Sequence, residues 1–505
     1  MFNIPKEVTA IADELSHAGH QAYLVGGCLR DLLMKQAPKD WDITTDAAPE
    51  EIKTIFPESV YENQFGTVGV KTGSAEPTLA LVEVTTFRKE GVYTDKRHPD
   101  SITFAKTVEE DLARRDFTIN AMAAEIQNAK FSAKGGFASG EKIQNDNPEF
   151  KIIDPFGGRV DLKKKLIRAV GVPEERLNED ALRLMRAVRL ATQLEFTIEG
   201  KTGAAIKRNA GLLEYISKER VRDELVKILL TPRAADGVRL LEEYGLLAQT
   251  LPELREGIGM TQNKHHIYTV FDHNVRSLAY AAENNFPLDL RAAALLHDVG
   301  KPATKQGDGP DATFYSHQVV GAKLAARMLD RLHFPKNFIE RVALLVREHM
   351  FVYDPDVVTL RGVRRLLSRV GPENVDDLFR VREADRIGSG VPKAQPYRLR
   401  HLKAMVEKVK QDPISPKMLK VGGHEIMRLL PIEPGPKVGR IIAVLLEEVL
   451  GDPRRNTEKY LEGRVKELGK CSSAELIKLA ERAKQSAADA QERIDKEIKS
   501  RYFVK

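Results

Sequence analysis

Apolar and polar positions follow two different periods along this chain, and the change of period divides it. In the first third, short runs read as strands: residues 23–25, an alternating stretch at 65–72, the run 79–87, and a strand from Lys151 into an Asp154-Pro155 turn and Gly157-Gly158. Helical patterns lie between them, at the N-terminus, over 29–34 and over 49–55. From about residue 161 the helical period takes over. Its clearest case is EDALRLMRAVRLATQL, a helix starting at Asn178 or Glu179, with Leu182, Met185, Val188 and Leu190 on the apolar face. Asp180, Arg183, Arg186 and Arg189, at steps of three, form a polar stripe on the other face. Basic helices over 403–410 and 454–464 flank a Gly-Pro-rich turn at 434–439, and an alanine-seamed helix closes the chain over 474–498. Two segments lack periodicity: the charged stretch 88–99, read as a mobile loop, and 127–149, rich in Lys, Gly, Ser and Asn, read as a loop or extended hairpin. The pattern predicts an α+β chain, with strands and helices first and an all-α remainder.

At 505 residues the chain exceeds one core and points to about three or four domains. No apolar run is long enough to span a bilayer, and the N-terminus has neither the basic flank nor the apolar core of a signal peptide, so a cytoplasmic protein is expected. Cys28 and Cys471 are the only cysteines, which excludes a disulfide framework and fits a reducing compartment. Cys28 reads as a small filler in the glycine turn. The net charge of +6 permits a polyanionic partner without requiring one.

The densest chemistry lies at 23–45. A strand that stops at Gly26-Gly27 lets the backbone approach a phosphate while the following helix points its amides at it, and Arg30 adds fixed positive charge. Asp40 and Asp42, two apart in an extended segment, place both carboxylates on one strand face. Such a pair repels itself unless a cation lies between, which makes it a candidate Mg²⁺ clamp. Asp-x-Asp alone also fits a solvated hairpin edge; the order strand, Gly-Gly, helix, Asp-x-Asp selects the metal reading. Glu83 is a candidate third carboxylate, or a strand glutamate that faces solvent or pairs with Arg88. Arg114 and Arg115 bring guanidinium forks for phosphates, and Asp116 and Asn120 can bond ribose hydroxyls, although a capped helix start uses the same residues. Asp180 and Arg183 offer an acceptor and donors that complement the base edge of C or A; the alternative is a Glu179–Arg183 ion pair on a solvated face. Finally, His273, His297, Asp298, His317, His349 and Asp385 are imidazoles and carboxylates suited to a divalent transition metal.

Residues 23–45 resemble the first motif of the class II nucleotidyltransferases of the DNA polymerase β superfamily, which include bacterial tRNA CCA-adding enzymes and bacterial poly(A) polymerases. The stretch 114–123, Asp161 with Arg168, Glu-Asp-x-x-Arg at 179–183, and 219–225 follow in that family's order, and ALLHDVGKP resembles the HD phosphohydrolase superfamily. The resemblance implies a DNA polymerase β-like head, a mixed sheet with helices, over 1–160, a neck over 161–235, a body with an HD domain over 236–400 and a helical tRNA-binding tail over 401–505. The implied activity is template-independent addition of CCA to the 3′ end of tRNA from CTP and ATP, by two-metal transfer with release of pyrophosphate. Asp40 and Asp42 would then hold Mg²⁺, with Glu83 beside them. Gly26, Gly27 and Arg30 would meet phosphates, Arg115, Asp116 and Asn120 the sugar, and Asp180 and Arg183 would template the base from the stripe that carries Arg186 and Arg189. Residues 219–225 are expected to be structural. The family shortens the 88–99 loop in enzymes that add only CC, so its presence argues against that activity. No membrane and no obligate protein partner are implied. Three other readings fit the same residues: an A-adding enzyme, a poly(A) polymerase, and an HD phosphohydrolase with an RNA-binding head.

Overall fold

The computed structural model describes residues 4–63, 66–91, 101–126, 151–262, 267–410, 412, 414–479 and 481–482. The chain forms two compact units, Met1–Arg255 with Arg331–Phe334, and Glu256–Asp330 with Pro335–Lys505.

The first unit opens with α1 (Lys6–His17), β1 (Ala22–Val25), α2 (Gly26–Leu33), β2 (Asp42–Thr45), α3 (Pro49–Ile55), β3 (Val60–Asn63), β4 (Thr67–Lys71) and β5 (Leu81–Thr86). After β6 (Arg88–Glu90), β7 (Ile102–Phe104) and α4 (Val108–Ala113) come β8 (Ala123–Glu125) and β9 (Ile152–Ile153). Seven of these strands make one sheet, ordered β3-β4-β5-β2-β1-β8-β9. Within it β2 runs parallel to β5 and the other pairs are antiparallel, so the sheet is mixed as expected. One face buries Leu24, Ile43, Val68 and Val84 against Val8, Ile11 and Leu15 of α1 and Leu29 and Leu32 of α2. Each such side chain contributes about 1.5–3 kcal/mol. Leu112 of α4 packs with Tyr23, Val25 and Phe87 in a separate cluster. The expected loop at 88–99 begins instead as a strand, because Arg88↔Phe104 and Glu90↔Ile102 pair across β6 and β7. The rest of that loop and the 127–149 stretch lie outside the described residues, as does most of the expected terminal helix.

The same unit continues with α5 (Gly158–Lys164), β10 (Leu166–Ile167), α6 (Pro173–Glu179), α7 (Leu182–Leu194), β11 (Thr197–Ile198), α8 (Gly200–Asn209), α9 (Lys218–Leu229) and α10 (Ala234–Glu243), elements that cover the stretch expected as a neck. Asp154 caps α5 by accepting the amides of Gly158 (2.6 Å) and Arg159 (2.9 Å). A side chain at Gly158 would lie 2.3 Å from the Thr118 carbonyl, so only glycine lets α5 dock there. Buried Asp161 accepts from Arg168 Nη2 (2.6 Å) and Thr118 Oγ1 (2.5 Å). The helix expected from 178 onward is two helices. Asp180 is extended (φ −122°, ψ 107°) between α6 and α7, and its Oδ1 accepts the Leu182 amide at 3.0 Å. An aspartate that bonds the backbone two residues ahead competes with helix continuation, which is the reason for the break. Segment 331–334 joins this unit through Arg331–Glu253 (2.6 Å) and Arg222 Nη1 donating to the His333 carbonyl (2.5 Å).

In the second unit, helices Val270–Glu283, His317–Arg331 and Val375–Gly388 carry His273, His317 and Asp385, while His297 with Asp298 and His349 follow the ends of Leu288–Leu296 and Lys336–Glu348. Further along, Gly423–Leu429, Pro436–Gly451 and Glu458–Gly469 share a core of Ile426, Ile441, Leu445, Leu461, Val465 and Leu468. The turn expected at 434–439 therefore ends earlier than its composition suggests: Pro436 opens a helix, since its missing amide costs nothing in a first turn. No helix among the described residues is long and apolar enough to cross a membrane.

Candidate active site

β1 ends at Val25, and Gly26 turns the chain into α2 with φ +69°. The parallel β2–β5 pairing sets Asp42 opposite Glu83, and both line a cavity of about 670 Å³. Asp40 is exposed in the bend before β2 and does not line that cavity, so the expected two-carboxylate strand face is only half formed. Trp41 between them is buried, which keeps the alternation, and Asp40 is near enough for its charge to act on Asp42. Burial first and Asp40 second raise the Asp42 carboxyl, against the pull of Arg115 and Arg30. A hard divalent cation fits such an oxygen-only group, because it would offset both terms. Cys28 is a filler: burial pushes its thiol up to about 12, and its Sγ donates to the Val25 carbonyl at 3.0 Å.

Beside the carboxylates, Arg115 lies so close to Gly26 that a methyl group there would stand 3.0 Å from its Nη1 and 3.3 Å from Asp42 Oδ2. Asp111, fully buried, holds this corner. It accepts from Arg115 Nη2 (3.2 Å) and Arg114 Nε (2.9 Å), while Arg114 also reaches Glu90 (2.9 Å). Arg115 Nε is buried with no hydrogen-bond partner among the described residues. Arg30, Asn120, Asp116 and Arg186 form a chain: Arg30 Nη1 donates to Asn120 Oδ1 (2.9 Å), Asn120 Nδ2 to Asp116 Oδ1 (3.3 Å), and Arg186 Nε to Asp116 Oδ2 (2.7 Å). Burial would raise the Asp116 carboxyl, but Arg186 and Arg183 outweigh it and hold it at about 2.

From the neck, Asp180, Arg183, Arg186 and Arg220 line the same cavity, and Arg220 Nη2 stands 3.9 Å from Asp180 Oδ2. Buried Arg183 of α7 donates to Glu179 Oε2 at the end of α6 (2.5 Å), so the alternative ion pair forms, though across the helix break and not on a solvated face, and Arg183 still lines the cavity. Gly26, Gly27, Asp42, Glu83, Arg115, Asp116, Asn120, Asp180, Arg183 and Arg186 are thus gathered, with Arg30 bonded to them from behind. Arg189 is not among the lining residues; its Nε meets buried Glu224 of α9 at 3.1 Å. Thr67, Thr85, Arg88, Glu90, Arg114 and Arg220 also line the cavity. Thr85 stands two residues from Glu83, so strand alternation alone would have found it.

The second unit brings its six expected ligands together. His273, His297, Asp298, His317, His349 and Asp385 are all buried. His297, His317 and His349 each place Nδ1 2.7–2.9 Å from a backbone carbonyl, of Ala294, Phe314 and Val346. An Nδ1–H donated there leaves each Nε2 as a lone pair directed at carboxylates. Asp298 Oδ2 lies 3.1 Å from His273 Nε2 and 3.4 Å from His297 Nε2, while its Oδ1 lies 3.2 Å from His317 Nε2 and 3.7 Å from His349 Nε2. Acceptors converging in this way fit divalent metal, as two triads that share Asp298. Lys301 Nζ, 2.6 Å from both Asp298 Oδ2 and Gln262 Oε1, is a buried neighbour that the sequence reading did not single out.

Residues 22–168 match the poly A polymerase head domain, 195–258 the probable RNA and SrmB-binding site of polymerase A, and 270–388 the HD domain. The A-adding tRNA nucleotidyltransferase of Deinococcus radiodurans is 37% identical over 69% of this chain and 76% of its own. The CC-adding tRNA nucleotidyltransferase of Thermus thermophilus is 34% identical over 84% and 89%. A crystal structure of the Bacillus stearothermophilus CCA-adding enzyme in complex with CTP superposes with a TM-score of 0.62 at 28% identity, covering 92% of this chain and 96% of that one. On these grounds the chain belongs to the tRNA nucleotidyltransferases that join a poly A polymerase head domain to an HD domain.

Proposed function

We propose that this protein adds CCA to the 3′ end of tRNA, taking CTP and ATP and releasing pyrophosphate. The observation that carries the reading is the convergence in one cavity of carboxylates on β2 and β5, the glycine turn before α2, the Arg115-Asp116-Asn120 group and the Asp180–Arg183 pair of the neck. Asp42, with Asp40 beside it and Glu83 opposite, would hold Mg²⁺, which when bound lowers the pKa of the attacking 3′-hydroxyl and offsets charge on the leaving pyrophosphate. The amides that open α2 and the buried Nε of Arg115 are donors for triphosphate oxygens. Asp116 and Asn120, fixed by Arg186 and Arg30, are placed to bond ribose hydroxyls. Asp180, steadied by Arg220, accepts from a base edge and Arg183 donates to it.

In the second unit the six-residue cluster would hold divalent cations with Asp298 shared between them, a centre able to polarise a phosphate ester. A division into head, neck, HD body and tail is supported for its first three parts by the matched segments, and the tail would hold tRNA. Two free cysteines fit work in the cytoplasm. A-adding activity is the second reading, since one relative carries that name.

The test offers labelled CTP and ATP, singly and together, to tRNA transcripts ending at the discriminator base, at C and at CC. Addition of CCA to the shortest transcript is expected. A added only to the CC form would replace the proposal with an A-adding enzyme. Asp42→Ala should abolish addition while filter-binding affinity for tRNA is retained; wild-type turnover would overturn the metal-site assignment.

A further inference from the structure

Arg176, on α6, lies outside the residues assigned so far, yet its side chain is mostly buried and makes a dense set of bonds. Its Nη2 donates to the Ala113 carbonyl (2.7 Å), its Nη1 to the Arg114 carbonyl (3.1 Å) and its Nε to the Val170 carbonyl (3.3 Å). Ala113 and Arg114 close helix α4, whose last carbonyls have no partner within the helix, so a guanidinium there acts as a C-terminal cap. Nη1 also reaches Glu179 Oε2 at 2.8 Å.

Arg183 uses the same acceptors. Its Nη1 donates to Glu179 Oε2 (2.5 Å) and to the backbone carbonyl of Arg176 itself (2.8 Å), and its Nη2 to the Arg114 carbonyl (3.2 Å). The Glu179 carboxylate and the Arg114 carbonyl are therefore each shared by both arginines; Arg183 also bonds the Arg176 backbone carbonyl, and Glu90 Oε2 stands 4.0 Å from its Nη2. Two of the groups that orient Arg183 are thus also bonded by the Arg176 side chain. Arg114 leads directly into Arg115 and Asp116, so one clamp ties the base edge and the sugar contacts to a common frame.

We infer that Arg176 is a positioning residue that sets nucleotide choice by orienting Arg183 against the end of α4. This rests on the reading of Arg183 as a base-edge donor. Lysine cannot replace it: an ammonium is a single point charge and cannot span Glu179 and two adjacent carbonyls as a planar fork does.

The experiment measures kcat/KM for CTP against UTP on transcripts ending at the discriminator base, and for ATP against GTP on transcripts ending in CC. Arg176→Ala, Arg176→Lys and Arg183→Ala are compared with wild type, and each variant's thermal midpoint is recorded. Both Arg176 variants are expected to lower the CTP:UTP and ATP:GTP ratios about tenfold, with kcat for the correct nucleotide within about threefold of wild type. Unchanged ratios in both variants while Arg183→Ala loses discrimination would overturn the role of Arg176 alone. Unchanged ratios in Arg183→Ala would overturn the base-edge reading, and this inference with it. A uniform loss for all four nucleotides, in step with a lower thermal midpoint in both Arg176 variants, would reduce Arg176 to a structural cap and overturn the positioning role.

Discussion

Gly26 shows how little space the site leaves. A methyl group there would press on both Arg115 and Asp42 while forcing a side chain to φ +69°. Gly26→Ala is expected to lower kcat by about 10–100-fold while tRNA affinity is retained, as single-turnover rates and filter binding would show. Asp116 offers a test by pH. Its carboxyl lies at about 2, against an ordinary 3.8, so the folded state favours its charged form. That contribution is complete above the ordinary value, disappears as pH falls toward about 2, and is on the order of 2 kcal/mol. Urea unfolding of wild type and Asp116→Asn should differ at neutral pH and draw together as pH falls to about 2 and below, a convergence of about that size. At this scale the sequence discloses which residues carry chemistry but not which of them touch. Arg186 bonds Asp116 across 70 residues and Arg30 bonds Asn120 across 90, separations that no local period reports. Asp111 was invisible for the same reason: nothing about an acidic residue in a short helix announces that it will be fully buried beneath two arginines.

Among the elements, β1, β4, β5 and the helices at the start of the chain were legible because their periods are clean and their ends are marked by glycine, proline or a capping side chain, whereas β3, β6, β7 and β8 are too short to show a period. Other exceptions lie where one residue has two uses. The stripe of Asp180, Arg183, Arg186 and Arg189 read as one face of one helix, whereas Asp180 caps the second helix from an extended position. The break turns Asp180 toward Arg220 and the cavity, which a continuous helix would not require. Removing the cap with Asp180→Ala should cost about 1 kcal/mol in chemical denaturation and weaken the preference for the correct nucleotide. Asp180→Asn keeps a capping oxygen, so it should recover most of the stability and little of the preference. Arg189 illustrates the opposite case: it lies on the expected stripe, but Glu224 of the next packed helix takes it.

For the molecule as a whole, two clusters of buried charge stand in different compact units. The histidine and aspartate cluster should make thermal stability depend on metal. Chelation should lower the midpoint, and Mn²⁺, Ni²⁺ or Zn²⁺ at a hundredfold excess over Kd should restore about 3 kcal/mol. His349→Ala should remove most of that gain in scanning calorimetry; an equal gain in variant and wild type would show that His349 is not a ligand.

The path of the chain carries one more consequence. The first unit is not a contiguous stretch, because Arg331–Phe334 returns to it, and Glu253 and Arg222 find partners on that return. A gene cut once after Arg255 would deliver a fragment without those four residues. Chimeras between relatives that exchange 256–330 together with 335–505, leaving 331–334 with the first unit, should therefore fold better than those made by a single crossover at that boundary. In recombination terms, the second unit is interrupted by four residues of the first, and where the seams fall, more than the length exchanged, decides which hybrids fold.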